Sequence, residues 1–400
     1  MTDCPESVSS GPIYLNAVEL ICSLGLGASQ VSNNLFGTIP QQGYLSLSEH
    51  YTPGKKLHLG LVSNDLPTVP IESEISRNNQ FLTALANPLL PAIDKLKGVF
   101  GPHRIGVVVG TSTSGIAEAE KALVYRNQNG VFPDDYHYRK QEVSAPSRFL
   151  AAYLGVTGPA WTVSTACTSG GKALASAARL LKLGVCDAVI AGGADTLCRM
   201  TVEGFSSLSV LDSDICNPFS RNRKGINIGE GAALFIVTRD EGPVRLAGYG
   251  ESSDAHHISA PHPKGVGAES AMQQALDMAG ITAESIDYLN FHGTATEQND
   301  KMEAIAAYKV LGNDIACSST KPLTGHTLAA AGSIEAAFCW LGLQRNDGLI
   351  PPHLWDHEPD PDLPVMHGLA KTSLPAKMKM AMSNSFAFGG NNISLILAGE

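Results

Sequence analysis

Three side chains suited to covalent and proton-transfer chemistry stand far apart along the chain, each in a run of small residues. They are Cys167 in Ser164-Thr165-Ala166-Cys167-Thr168-Ser169-Gly170-Gly171, His292 in His292-Gly293-Thr294-Ala295-Thr296, and His326 in Lys321-Pro322-Leu323-Thr324-Gly325-His326. Cys167 lies between Trp161 to Val163, which reads as the end of a buried strand, and Lys172 to Leu183, where alanine and leucine recur at helical spacing. A cysteine at a helix start faces N–H groups without internal partners and the positive end of the macrodipole, so a lowered pKa is expected. Such a thiol is a candidate nucleophile. The competing reading is one more buried cysteine, a common state of that residue. His292 and His326, beside Thr294, Thr296 and Lys321, are the candidates to donate or accept a proton. His256, His257 and His262 occupy a polar, proline-containing stretch and read as loop histidines.

The 400 residues are 44% hydrophobic and 16% charged, enough for a large core and two or three domain-sized units. A net charge of -10, with no Lys/Arg block, argues against nucleic acid or an anionic membrane as partner. The eight cysteines fall singly, without metal-ligand spacing, which favours reduced thiols in the cytoplasm over disulfides or a zinc site. Met1 to Glu6 carries no basic region leading into an apolar core, and no apolar run approaches the length of a membrane span. Neither a secretory leader nor a transmembrane helix is expected.

The elements that must position these residues alternate. Ile105 to Gly110 and Ala188 to Asp195 are nearly all-apolar runs, as in buried parallel strands, and Ala233 to Val237 is a further strand. Arg77 to Leu96 has helical spacing, with a kink or restart expected at Pro88 and Pro91. Residues 28–75 are polar and proline-dotted and read as loops with a short helix. From Val244 the order repeats: a helix over Ala268 to Ala279, a strand over Ile286 to Phe291, a strand over Ile315 to Ser319, a helix over Thr327 to Leu343, and final strands over Ala381 to Phe386 and Asn392 to Leu397. Two similar halves are expected, residues 1–243 carrying the cysteine and residues 244–400 carrying both histidines. Their helix starts can meet at a shared centre.

These runs, with Asn384-Ser385-Phe386-Ala387-Phe388-Gly389-Gly390-Asn391-Asn392, resemble the motifs of elongating 3-oxoacyl-[acyl-carrier-protein] synthases, in the family's order and over essentially the whole chain. The resemblance implies an α/β thiolase-like fold, a five-layered α-β-α-β-α core with mixed sheets, in a dimer. It implies a transferase in which Cys167 takes an acyl group from acyl carrier protein while His292 and His326 assist decarboxylation of malonyl-carrier protein. Lys321 and Glu335 match a supporting ion pair, Thr294 and Thr296 contacts to the pantetheine arm, and Phe388 a mobile gate. The N–H groups of Cys167 and Phe388 are the expected oxyanion donors, with Phe386, Gly389 and Ile226 in the substrate site. No metal or redox cofactor is implied, since substrates ride on the phosphopantetheine of the carrier.

The chain departs from the family loop Pro-Phe-Asp-x-x-Arg-Asp-Gly-Phe, having Ser220, Lys224 and Ile226 where the two aspartates and the last phenylalanine stand. This hints at a specialised aryl polyene or polyketide pathway rather than housekeeping fatty-acid synthesis. The partner is then either a second copy or a chain-length-factor-like subunit. A non-catalytic chain-length-factor-like role for the chain itself is the competing function. Lys55, Lys56, Arg77, Arg126, Arg139, Lys140, Arg221 and Arg223 are candidate contacts for the acidic carrier.

Overall fold

The computed structural model describes residues 11–400, so Met1 to Glu6, with Cys4, lie outside the described residues. A first sheet is built of β1 (Tyr14–Cys22), β2 (Ile105–Gly110), β3 (Ala160–Val163), β4 (Ala188–Asp195) and β5 (Gly231–Thr238), with the two-residue strand Gly25–Leu26 folded back on β1. A second is built of β6 (Val244–Ser253), β7 (Tyr288–Asn290), β8 (Ala316–Ser318), β9 (Met380–Phe386) and β10 (Asn391–Gly399). The first runs β3-β2-β4-β5-β1, with β2 parallel to both neighbours and the remaining pairs antiparallel. The second runs β8-β7-β9-β10-β6 with the same senses at the same steps. The sheets meet where Tyr14 pairs with Arg245, so one ladder continues through both.

Helices fill three layers. On one outer face α1 (Arg77–Phe100) and α2 (Ala145–Leu154) bury Phe81, Leu85, Ile93 and Phe149 against the first sheet. On the other, α4 (Val266–Ala279) and α5 (Glu297–Leu311) bury Met272, Leu276 and Met302 against the second. Between the sheets lie α3 (Ser169–Lys182) and α6 (Ala331–Leu343), and α6 is buried on every side except at Trp340. The layer order is α-β-α-β-α. Glycine sets the approach of the inner helices, because a Cβ on Gly170 would stand 2.8 Å from Ala329 O. Backbones that close bring the starts of α3 and α6, with the residues just before them, to one point.

Three local expectations are corrected. Among the described residues β3 is an edge strand, hydrogen-bonded only to β2, and Trp161 is 36% exposed rather than buried. The helix over Arg77–Phe100 runs unbroken through Pro88 and Pro91. Both prolines are exposed, so the carbonyls they leave without a helical partner lie toward water rather than in the core. Residues 28–75 are more ordered than expected, with a helix over Ala28–Leu35 and a hairpin of Ser46–Ser48 with Leu57–Leu59. Among the described residues no helix is long and apolar enough to cross a membrane.

Candidate active site

Cys167 sits in a tight turn just before α3. Ala166 holds φ 52°, a left-handed conformation that costs a residue with a side chain about 1–2 kcal/mol. Local hydroxyls hold the turn: Ser169 Oγ accepts from Thr165 N at 2.9 Å and donates to Ala166 O at 2.6 Å, and Thr168 Oγ1 donates to Thr165 O at 2.7 Å. The second half has the same device. Leu328, at φ 54°, precedes α6 as Ala166 precedes α3, which makes Ala329 the counterpart of Cys167.

The histidines reach this turn from the second sheet. His292 follows β7 by way of Phe291, and Glu303 on α5 fixes its backbone by accepting the N–H groups of His292 and Gly293, both at 2.7 Å. Lys321 Nζ donates to Glu335 Oε1 at 2.6 Å, to the His292 carbonyl and, at 3.4 Å, toward His292 Nδ1. An ammonium has no lone pair to offer, so His292 Nδ1 is the acceptor and its proton resides on Nε2. His326 Nε2 lies 2.9 Å from Cys167 Sγ, while its Nδ1 is buried with no partner among the described residues. The imidazoles meet edge to face at 5.2 Å, and the reactive atoms of Cys167, His292 and His326 all lie within 4.8 Å of one another.

Burial governs the electrostatics. It pushes both imidazoles well below the ordinary 6.5, with the Lys321 ammonium acting in the same direction, so both rings are neutral. It pushes Glu335 up to about 7 against the pull of Lys321. It pushes the Cys167 thiol up to about 12, opposed mainly by Lys321. The lowered thiol pKa expected at a helix start is therefore corrected: desolvation of a thiolate in this closed setting outweighs the partial charge of the helix end. At rest the pair is S–H donating to His326 Nε2.

Cys167, His292 and His326 open on a cavity of about 420 Å³, within the usual range for small-molecule sites. Its wall includes Ile226, Thr294, Thr296, Phe386 and Phe388. Lys224, with its side chain 65% exposed, marks the mouth. A second cavity of about 400 Å³ also touches Cys167 and extends to Met200, Thr201 and Leu328. Phe205 and Phe388, their rings 6.0 Å apart, belong to both walls. Gly389 is not in either wall; at φ 81° it turns the chain behind Phe388, and its N–H donates to Ile258 O.

Several expected carrier contacts are excluded by their surroundings. The Arg223 side chain is 4% exposed and paired with Asp360, Lys140 is buried with Nζ on Asp135 O, and Arg77 is bound to Glu230. Lys55, Lys56 and Arg126 are exposed. Arg139 and Arg221 are exposed but face Glu74 and Glu358. The sequence reading missed Asp300 and Glu303, two buried carboxylates that hold the backbone around His292: Asp300 accepts from Phe219 N and Ala295 N. Their signal was present as two acids three apart in a helix start, directly after a His-Gly-Thr turn.

Residues 94–242 match the beta-ketoacyl synthase N-terminal domain and residues 244–355 its C-terminal domain. The chain belongs to the beta-ketoacyl synthase family and is an acyltransferase of that class. It is 36% identical over 306 residues to nodulation protein E of Rhizobium meliloti, covering 73% of this chain and 75% of that one. It is 34% identical over 315 residues to 3-oxoacyl-[acyl-carrier-protein] synthase 2 of Staphylococcus aureus, covering 73% and 76%. Among solved structures, a chain from the complex of the ketosynthase ApeO with its chain length factor ApeC, from Xenorhabdus doucetiae, superposes with a TM-score of 0.91 at 44% identity over the full length of both chains. A chain of the ishigamide ketosynthase/chain length factor matches with a TM-score of 0.87 at 26% identity, over 98% of this chain and all of that one.

Proposed function

We propose that the chain catalyses decarboxylative Claisen condensation of an acyl thioester with malonyl-acyl carrier protein. The observation that carries this reading is the convergence of a thiol and two neutral imidazoles within 4.8 Å, beside a cavity large enough for a thioester arm. In the first half-reaction the Cys167 proton moves to His326 Nε2 and Sγ attacks the acyl carbonyl. The bond to the carrier sulfur breaks, and the departing thiolate takes the proton from His326. The N–H groups of Cys167 and Phe388 are the proposed donors to the tetrahedral oxyanion, where one such donor is worth about 3 kcal/mol.

In the second half-reaction malonyl thioester loses CO2 and its electron pair passes to the thioester oxygen as an enolate. His292 Nε2–H donates to that oxygen, its tautomer fixed by Lys321. His326 donates from Nε2 as well, because its unpartnered Nδ1 lets the neutral ring carry its proton on either nitrogen. The enolate carbon attacks the acyl group, the bond to Cys167 breaks, and one proton from solvent restores the thiol. Thr294 and Thr296, whose hydroxyls lie 2.9 Å apart on the cavity wall, are assigned to the pantetheine arm.

The division into residues 1–243 and 244–400, a cytoplasmic setting and phosphopantetheine-borne substrates belong to the same proposal. So does pairing with a chain-length-factor-like subunit, which the likeness to a chain of the ApeO/ApeC complex favours over a homodimer. That likeness also sustains a second reading, in which this chain is the non-catalytic member of such a pair. Incubation with acyl-carrier protein, then malonyl-carrier protein, followed by mass spectrometry separates the two. An acyl adduct on Cys167 and a 3-oxoacyl product, both lost in Cys167→Ala, are expected; a wild type that acquires no adduct, alone or with its partner, rejects the catalytic reading.

A further inference from the structure

Asp195 ends β4 wholly buried, and no step above uses it. Its Oδ1 accepts from Ser112 N at 2.8 Å, Thr113 N at 2.9 Å and Thr113 Oγ1 at 2.8 Å, and shares with Ala194 O the one proton of Thr111 Oγ1, 2.8 Å from each. Its Oδ2 accepts from Ala329 N at 2.7 Å. Four of these donors belong to the turn that follows β2 in the first half. The fifth belongs to the second half, in the turn between His326 and α6.

Both turns hold a non-glycine residue at positive φ, Ser114 at 40° in the first and Leu328 in the second. Leu328, a bulky residue at φ 54°, stands between His326 and the N–H that Asp195 holds. The end of β4 leaves it no slack, since a Cβ on Gly193 would lie 3.1 Å from Ala330 Cα. Only a carboxylate can receive all five donors, because an amide of the same shape would turn an N–H toward one set of them.

We propose that Asp195 is a positioning residue whose carboxylate clamps the turn after β2 to the turn after His326 and thereby sets the separation of His326 Nε2 from Cys167 Sγ. The inference rests on the reading of His326 as the proton partner of Cys167. It assigns to β4 a task in aligning two groups that arrive from opposite halves of the molecule.

The test is a double-mutant cycle on the full chain with its partner, using Asp195→Asn, His326→Ala and the pair. Asp195→Asn is expected to lower kcat by about 10- to 100-fold, the scale of a small misplacement, with KM for both carrier substrates unchanged. In the His326→Ala background the same substitution is expected to change kcat by less than about 2-fold, because what it positions is gone. An unchanged kcat in Asp195→Asn, or a full multiplicative loss in the His326→Ala background, overturns the clamp. If Asp195→Asn does not melt cooperatively, Thr113→Val decides by the same criteria, with an expected loss of about 2- to 5-fold for one hydrogen bond. A wild type that forms no 3-oxoacyl product refutes the proposed reaction instead. The cycle is then read from the rate of Cys167 alkylation by iodoacetamide, where non-multiplying shifts support the clamp and independent or absent shifts overturn it.

Discussion

His326 Nε2 and Cys167 Sγ lie 2.9 Å apart although 159 positions separate them in the chain, and burial leaves the thiol protonated and the ring neutral. The couple is a hydrogen bond at rest and becomes charged only as the thiol attacks. Alkylation of Cys167 by iodoacetamide is therefore expected to accelerate steadily from about pH 7 to about pH 10, because the thiolate fraction keeps rising toward about 12. A rate that levels off below about pH 8 is the signature of a preformed ion pair and would contradict this.

The buried rings also give stability a sign with pH. Each is neutral in the fold and titrates at the ordinary 6.5 when the chain unfolds. Stability from this source is complete above 6.5 and is lost as pH falls below it, by up to about 1.4 kcal/mol per pH unit for each ring. Glu335 and Glu303, raised to about 7 and about 8, act oppositely, and their contributions are lost as pH rises through those values. Comparing wild type with His326→Ala isolates one ring: wild type should lose the more stability between pH 6.5 and about pH 5 in urea titrations. Parallel losses would show that the ring is not held neutral.

Lys321 and Glu335 are each nearly inaccessible to water, so removing one leaves the other charge stranded. Lys321→Met should cost about 3–5 kcal/mol, and Lys321→Met with Glu335→Leu should recover most of it. Activity should stay low in both, because His292 Nδ1 has lost the donor that fixes its tautomer. A fully active double variant, measured by condensation rate alongside the denaturation midpoint, would remove Lys321 from the chemistry.

Arg126 and Arg223 should part company under charge reversal. Arg126 is exposed, its guanidinium 4.8 Å from the Phe132 ring centroid, so Arg126→Glu is expected to raise KM for the acidic carrier with the melting temperature unchanged. Arg223→Glu places like charges against Asp360 in a buried site and should destabilise by several kcal/mol, about 3–5 on the scale of broken buried pairs. An unaltered KM in Arg126→Glu would move the carrier surface elsewhere.

Much of the fold could be read because its strands are short apolar runs set off by glycine turns. Ile105–Gly110 and Ala188–Asp195 come out at the boundaries their composition suggested. Cys167, His292 and His326 were legible for a related reason, since reactive side chains among small residues stand out. Trp161 was misread because an apolar run looks the same at a sheet edge as at its centre, and only pairing distinguishes them. Pro88 and Pro91 misled because their effect depends on which helix face meets water. Asp195 passed unnoticed because backbone partners such as Ser112 N and Ala329 N lie 83 and 134 positions away, which no local pattern records. The thiol pKa was predicted in the wrong direction because helix position is a local property and desolvation is not.

Among the described residues the outer rim of β3 is a free edge of the first sheet. Its backbone is bonded on one side only, and it ends at Val163, shortly before the turn that carries the sulfur. Any chain docking along that rim would pull on the same peptide whose far end aims Cys167. The peptide from Val163 to Cys167 thus joins an unpaired strand end to the nucleophile, and anything that shifted that rim would act on the sulfur through four residues of chain.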